Sequence, residues 1–483
     1  MKTETSGLLE PRLAEAPRRR LWLALSHLLL ALIMLAKVGG DFTLSAALKT
    51  LFHLHAEDTA GLTVASTDQV VGAGTVAYLM GKLAAGPTVR LVGARVASFC
   101  MLVIFLLSMI TIGVGHSSAT VSLVFGAWFL FNFESAHAWA IVTATVAGWV
   151  DDEHLGISVR ARGARPSPHR TQGSRTRANA ARAGRRPPRP SPRQVGLLTL
   201  VSELATATVL AAYGSTMKLE DAELAWDVPF IASAAITLLA ILAHTGFASD
   251  GAEDKNCRPP RGAHGDGPHP LSGRSFAAPL RAFFCSGRAW LLVGAMIALS
   301  VRELALFAYL HAYARSLPDG RGGSTQLLPL ETLGTAAALC FGAPLYDRLR
   351  RAGGRGAMLL LGACCALQFV TVATWAALER HGQVGRAGLG ALLVLTGLFN
   401  ALPFHLPGPV AMIQRGGPEH AATIVSLVDA LIIVSGLVIK AGLIDGVEKA
   451  SWEGWLWIQA ALIAAAAALL TSFLALERTG PPD

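Results

Sequence analysis

Charged side chains set inside long apolar runs are where this sequence can do chemistry. The cations are Lys37, Lys82, Arg302 and Lys440, and the acids are Glu134, Glu203, Glu303, Glu331 and Asp429. A charge in hydrocarbon costs several kcal/mol unless paired or hydrated, so each is a candidate for binding or proton transfer. Arg302 has the strongest chemistry for an anionic substrate, because a guanidinium grips two oxygens of phosphate or carboxylate at once. The plainer reading is a salt bridge to an acid on a neighbouring helix. Glu303 is poorly placed for that, since adjacent helical residues do not share a face. Lys37 and Asp41, four apart, do share one, as an internal ion pair or as a substrate contact. Lys82 sits among small residues, with snorkelling to the interface as its alternative role, and Lys440 is expected to snorkel at an outer helix end.

Glu134 and His137 are three apart on one face. A carboxylate beside an imidazole is a pairing suited to proton coupling, or else a polar brace between helices. Leu130-Phe131-Asn132 followed by His137 recurs as Leu398-Phe399-Asn400 followed by His405. That makes Asn132, His137, Asn400 and His405 candidate substrate contacts, against the alternative of buried imidazoles bonded to carbonyls. Glu203 and Asp429 fall in matching places in the two halves and suit either proton coupling or charge pairing. Glu331, near an outer helix end, is expected to reach water. Phe131, Phe133, Trp139, Phe307, Tyr309 and Phe404 can line a pocket or pack a core. The six cysteines show no zinc or disulfide spacing. No nucleophile–base spacing, phosphate loop or metal-ligand cluster appears. Neither catalysis nor a cofactor is therefore expected.

The elements that must position these groups are membrane helices. Of 483 residues, 52% are hydrophobic and 15% charged, where a soluble domain carries about 25% charged. Apolar runs of spanning length cover 22–42, 70–86, 96–115, 122–150, 195–216, 226–247, 288–313, 326–346, 357–377, 388–414, 421–444 and 454–476. The fourth and tenth are long and carry polar residues, as helices facing a cavity do. The first 20 residues are polar and end in Arg18-Arg19-Arg20, so the first run reads as a membrane helix and not a cleaved signal. The expected organisation is a tail at 1–21 and a six-helix bundle at 22–247, then a central loop at 248–287. A second bundle follows at 288–476, with a tail at 477–483. Counting Lys and Arg by loop gives 30 on the side of the termini against 7 on the other. The positive-inside rule then places both termini in the cytosol.

Each half also carries a charged turn. Gly81 to Arg95 holds Arg90 and Arg95 after the second run, and Gly342 to Arg355 holds Asp347 and Arg348 after the eighth. Glycines there allow close helix crossings, and the basic residues can cap carbonyl ends.

This pattern resembles the major facilitator superfamily. It is most similar to its organophosphate:phosphate antiporters, the glycerol-3-phosphate and sugar-phosphate carriers. The matching pieces are Tyr78-x-x-Gly81-Lys82-x-x-x-Gly86, Trp149-x-x-x-Glu153-x-x-Gly156, Gly408-Pro409, and Trp452 with Trp455. The resemblance implies an all-α membrane protein, twelve helices in two pseudo-symmetric bundles, rocking about a central site. It implies a small organic anion, such as a sugar phosphate or glycerol phosphate, exchanged for phosphate, with Arg302 on the position of one of the family's two phosphate-binding arginines. The other position falls on Gly39, and the acid usual in the first charged turn is Arg90 here. Two alternatives stand beside it: a proton-coupled carrier of a neutral solute such as a sugar or amino acid, and a transport-inactive receptor or scaffold. A monomer in the bilayer is expected.

Residues 157–194 differ from the rest, with 11 Arg, 6 Pro and no acid. They read as a solvated loop touching anionic lipid headgroups, or as a retained intron, whose removal joins Gly156 to Val195 in the register of the resembling family. Nucleic acid is not the expected partner, because interleaved aromatics are lacking. Without that segment the chain has 30 basic and 32 acidic residues, so its net charge of +9 becomes −2. Glu4-x-x-x-Leu8-Leu9 resembles an acidic dileucine signal for endosomal or vacuolar sorting.

Overall fold

The computed structural model describes residues 21–22, 24–41, 64–115, 121–149, 199–204, 206–208, 227–249, 277–317, 327–352, 355–447 and 451–479. Both tails, the dileucine, the segment 157–194 and most of the central loop lie outside the described residues. The described chain is helical throughout, apart from short turns and caps. In chain order the helices are α1 (Ala24–Asp41), α2 (Val64–Gly115), α3 (Val121–Ser135), α4 (Ala138–Trp149), α5 (199–204 with 206–208) and α6 (Asp227–Phe247). Then come α7 (Ala277–Phe284), α8 (Gly287–Ser316), α9 (Leu328–Arg351), α10 (Arg355–Arg380), α11 (Arg386–His405), α12 (Pro407–Val447) and α13 (Trp452–Thr479).

Among the described residues, seven helical stretches are long and apolar enough to cross a membrane. The expected twelve runs map onto fewer, longer helices for a physical reason. At 1.5 Å per residue, the 52-residue α2 is about two and a half times as long as hydrocarbon is thick, and it holds the second and third runs together. Its helical geometry is interrupted at Gly93, whose φ of 84° is the left-handed region glycine tolerates. The first charged turn is therefore narrower than expected: the helix continues through Pro87 and Arg90 and breaks only at Gly93. Within the central stretch expected to be loop, 277–284 form α7. Phe283 is buried there with the α8 core, and the Ser286 hydroxyl caps α8 by accepting from the Ala289 amide.

The fourth and tenth runs break at matching places. α3 ends at Ser135 and α4 begins at Ala138, leaving His137 in the turn with its amide donating to the Glu134 carbonyl. α11 ends at His405, and α12 begins at Pro407. Pro403 and Pro407 each lack an amide donor, which accounts for the second break. The repeated Asn-to-His spacing thus marks a helix break in each half.

Each half also shares a crossing. A Cβ on Gly81 would fall 2.1 Å from the Phe133 carbonyl oxygen, and one on Gly397 would fall 1.9 Å from the Glu331 carbonyl oxygen. Only glycine lets α2 approach α3, and α9 approach α11, this closely. Met101, Leu102, Phe105 and Phe131 centre the first core, and Leu361, Leu406 and Val428 the second. Ala421 and Ala422 of α12 pack into the first core, so the second half reaches across into the first.

Candidate functional site

A cavity of about 430 Å³ lies where the halves meet. Ligand pockets typically run from about 300 to 1,000 Å³, so a small solute fits. Tyr78 and Lys82 of α2, Trp139 and Thr143 of α4, and Thr199, Ser202 and Glu203 of α5 line it from the first half. Ser300, Glu303 and Phe307 of α8, Phe404 and His405 of α11 and Asp429 of α12 line it from the second. The wall therefore combines four aromatic rings, several hydroxyls and three carboxylates with one lysine.

Two charge contacts join the halves inside this cavity. The Lys82 Nζ donates to Asp429 Oδ2 at 2.8 Å, and His405 Nε2 lies 3.7 Å from Glu203 Oε1. Lys82 is 2% exposed, so this is no snorkelling side chain. Its Nζ also sits 5.3 Å from the centre of the Tyr78 ring, with Lys37 Nζ at 5.9 Å from the same ring. Lys37 itself donates to Asp41 at 2.6 Å, forming the internal pair that the spacing of four allows, and the Ser135 hydroxyl donates to the same carboxylate at 3.2 Å.

Glu303 is held from behind. Gln368 Nε2 donates to Asn400 Oδ1 at 3.1 Å, which turns the Asn400 amide nitrogen toward Glu303 Oε2 at 3.3 Å. Asn132, the matching residue of the first half, instead donates to the Trp128 carbonyl of its own helix at 2.9 Å. The sequence repeat is thus shared while its chemistry differs between halves.

Arg302 does not line the cavity. It is wholly buried inside the second bundle, with Nη1 3.7 Å from Glu331 Oε1. Glu331 is 3% exposed, so the expectation that it reaches water is corrected: it faces a buried guanidinium. Glu134 and His137 are also outside the cavity lining. Their charged atoms are 3.8 Å apart, and His137 Nδ1 contacts the Phe133 carbonyl at 3.1 Å. The Lys440 side chain lies outside the described residues. At the charged turns, Ser98 Oγ donates to the Arg95 carbonyl at 3.0 Å and His244 Nε2 lies 2.9 Å from that oxygen, tying α6 to the turn. Asp347 is buried, while the exposed Arg348 uses its carbonyl to accept the Ala352 amide.

Sequence reasoning passed over Gln368, the positioning amide of the ninth run, and the hydroxyl row Thr199, Ser202 and Ser300. A lone Gln inside an apolar run was the available signal for the first. No group of three or more His, Cys, Asp or Glu side chains suited to a metal occurs among the described residues.

The chain has the major facilitator fold, two helical bundles meeting around a cavity. It superposes on a single-substitution variant of the Escherichia coli fucose:proton symporter with a TM-score of 0.64 and 13% identity, covering 93% of this chain and 98% of that one. A major facilitator transporter of the same name, solved in the outward conformation, gives a TM-score of 0.62 over the same shares at 13% identity. No family profile matches the chain, and no curated protein does.

Proposed function

We propose that the protein is a secondary active transporter that carries a small polar solute without net negative charge, together with protons, by alternating access. The observation that carries this reading is the charge of the cavity wall. Its one lysine is already paired with Asp429, while Glu203 and Glu303 face the same space. An anion such as a sugar phosphate would meet two carboxylates and no unpaired lysine or arginine among the described lining residues. The guanidinium expected to grip phosphate is turned to Glu331 instead. The Thr, Ser and Tyr hydroxyls suit a polar uncharged solute, the aromatic rings suit its apolar faces, and the carboxylates can carry protons. The likeness to a fucose:proton symporter supports the same side of the choice.

The positive-inside count supports cytosolic termini, which puts the contact between α2 and the middle of α12 at the cytosolic end. The test is uptake into liposomes holding the full chain, with fucose, glucose, alanine and glucose 6-phosphate as tracers, under an imposed pH gradient. Acid-outside stimulation of an uncharged or zwitterionic tracer is expected. Exchange of the phosphate ester for inorganic phosphate, with no response to the gradient, overturns the reading. Absence of flux for every tracer favours a receptor or scaffold.

A further inference from the structure

We infer that the solute carries an ammonium group and that Glu303 is the side chain that receives it. This rests on the transport reading above and adds the chemistry of recognition. Three embedded cations are each matched to an acid: Lys37 to Asp41, Lys82 to Asp429 and Arg302 to Glu331. Of the embedded acids left over, Glu203 and Glu303 line the cavity, while Glu134 lies outside it beside His137. Among the described residues, no Lys or Arg nitrogen lies within 4.0 Å of either carboxylate. Glu203 has only His405 at 3.7 Å, and Glu303 has only the Asn400 amide at 3.3 Å. Two carboxylates in a half-dry cavity call for a positive partner, and one proton at the Glu203–His405 pair serves one of them.

Glu303 is the one prepared for a ligand. The Gln368-to-Asn400 chain fixes its Oε2, while Oε1 makes no hydrogen bond to described residues. The Phe307 and Phe404 rings line the same cavity, and aromatic faces attract cations. A carboxylate with an oxygen to spare, beside aromatic rings, is ammonium-binding chemistry. Asn400 and Gln368 act as positioning residues through Glu303.

The experiment is counterflow by the full chain in liposomes with paired tracers that differ at the amine: glucosamine and glucose, alanine and lactate, 4-aminobutanol and 1,4-butanediol. The pairs separate an amino sugar, an amino acid and a simple amine as the source of the ammonium. At least one amine is expected to exchange about 30-fold better than its partner, the size of one charge-assisted contact. Glu303→Gln is expected to remove that preference, and Asn400→Ala to weaken apparent affinity for the amine more than for its partner. Exchange of glucose or 1,4-butanediol equal to that of its amine overturns the inference but leaves the transport reading standing. Loss of both members alike in Glu303→Gln, with the melting temperature retained, also overturns it. No exchange of any tracer overturns both.

Discussion

Lys82 on α2 and Asp429 on α12 form an ion pair that spans the two halves of the protein, Nζ to Oδ2 at 2.8 Å, at the wall of the central cavity. One helical turn further along α2, Gly86 meets Thr423, where a Cβ would come 2.5 Å from the Thr423 Cα. The pair and the crossing lie on the same contact, between α2 and the middle of α12. Together they join the two halves along one side of the cavity. Any cycle that opens this side must part Lys82 from Asp429, and what opposes that step is the cost of leaving a lysine buried without its acid.

The first prediction concerns that pair. Lys82→Ala and Asp429→Ala each leave one charge without its partner and are expected to lower counterflow at least tenfold. The exchange variant, Lys82→Asp with Asp429→Lys, restores the pairing and is expected to recover activity to within a few-fold of the parent. Labelling of a cysteine placed at Ser300, which lines the cavity, reports closure directly. It is expected to speed up in the single variants and slow again in the exchange. Equal activity in all three variants would show that the pair is no latch.

Gly86 gives an independent handle on the same contact. Gly86→Val adds three carbons where even one would sit within 2.5 Å of the Thr423 backbone, and a backbone atom cannot move aside as a side-chain tip can. The halves are expected to stay parted at this end. Transport should fall to background, labelling at position 300 should rise, and the melting temperature should drop by only a few degrees, since the cores of both halves remain intact. Retained transport would mean the contact shown here is not visited in the cycle.

Much of this architecture is legible in the sequence because hydrocarbon imposes a strong rule: about 20 apolar residues per crossing, with charge confined to loops and cavities. The repeat of Asn132 with His137 and Asn400 with His405 marks two helices that break at matching places. What was hidden is direction. Arg302 and Glu303 are neighbours in sequence, yet one is sealed in the bundle and the other lines the cavity. The 3.6-residue turn separates their faces, but only the packing of α9 and α11 decides which face meets solvent. Glu331 is buried against expectation for the same reason. Its place in the first turn of α9 suggests water, and the crossing at Gly397 buries it. The partners Lys82 and Asp429 lie 347 residues apart, a distance over which spacing carries no signal.

The third prediction separates proton coupling from solute exchange. Glu203 and His405 come from opposite halves, with 3.7 Å between their charged atoms. Parting the halves therefore exposes both groups to a change of partner. Glu203→Gln keeps the shape and removes the titration. Uptake by this variant is expected to lose its response to an imposed pH gradient, while solute counterflow, which needs no net proton movement, stays within a few-fold of the parent. A gradient response that survives the substitution would assign the coupling proton elsewhere.

The fourth prediction asks what Arg302 is for. Its guanidinium is fully buried, its nitrogens make no hydrogen bond among the described residues, and the nearest carboxylate oxygen is that of Glu331 at 3.7 Å. If that attraction is its main support, Glu331→Gln strands a buried charge and should cost about 3 to 5 kcal/mol, the usual loss when one member of a buried pair is removed. Replacing both, as Arg302→Met with Glu331→Leu, removes the charge and its partner together and should destabilise far less, because apolar side chains of similar volume often replace buried pairs without loss. Thermal unfolding of the detergent-solubilised full chain measures both. An arginine that serves a phosphate instead would give a different order. Glu331→Gln would then leave stability nearly unchanged, and Arg302→Met would abolish phosphate exchange.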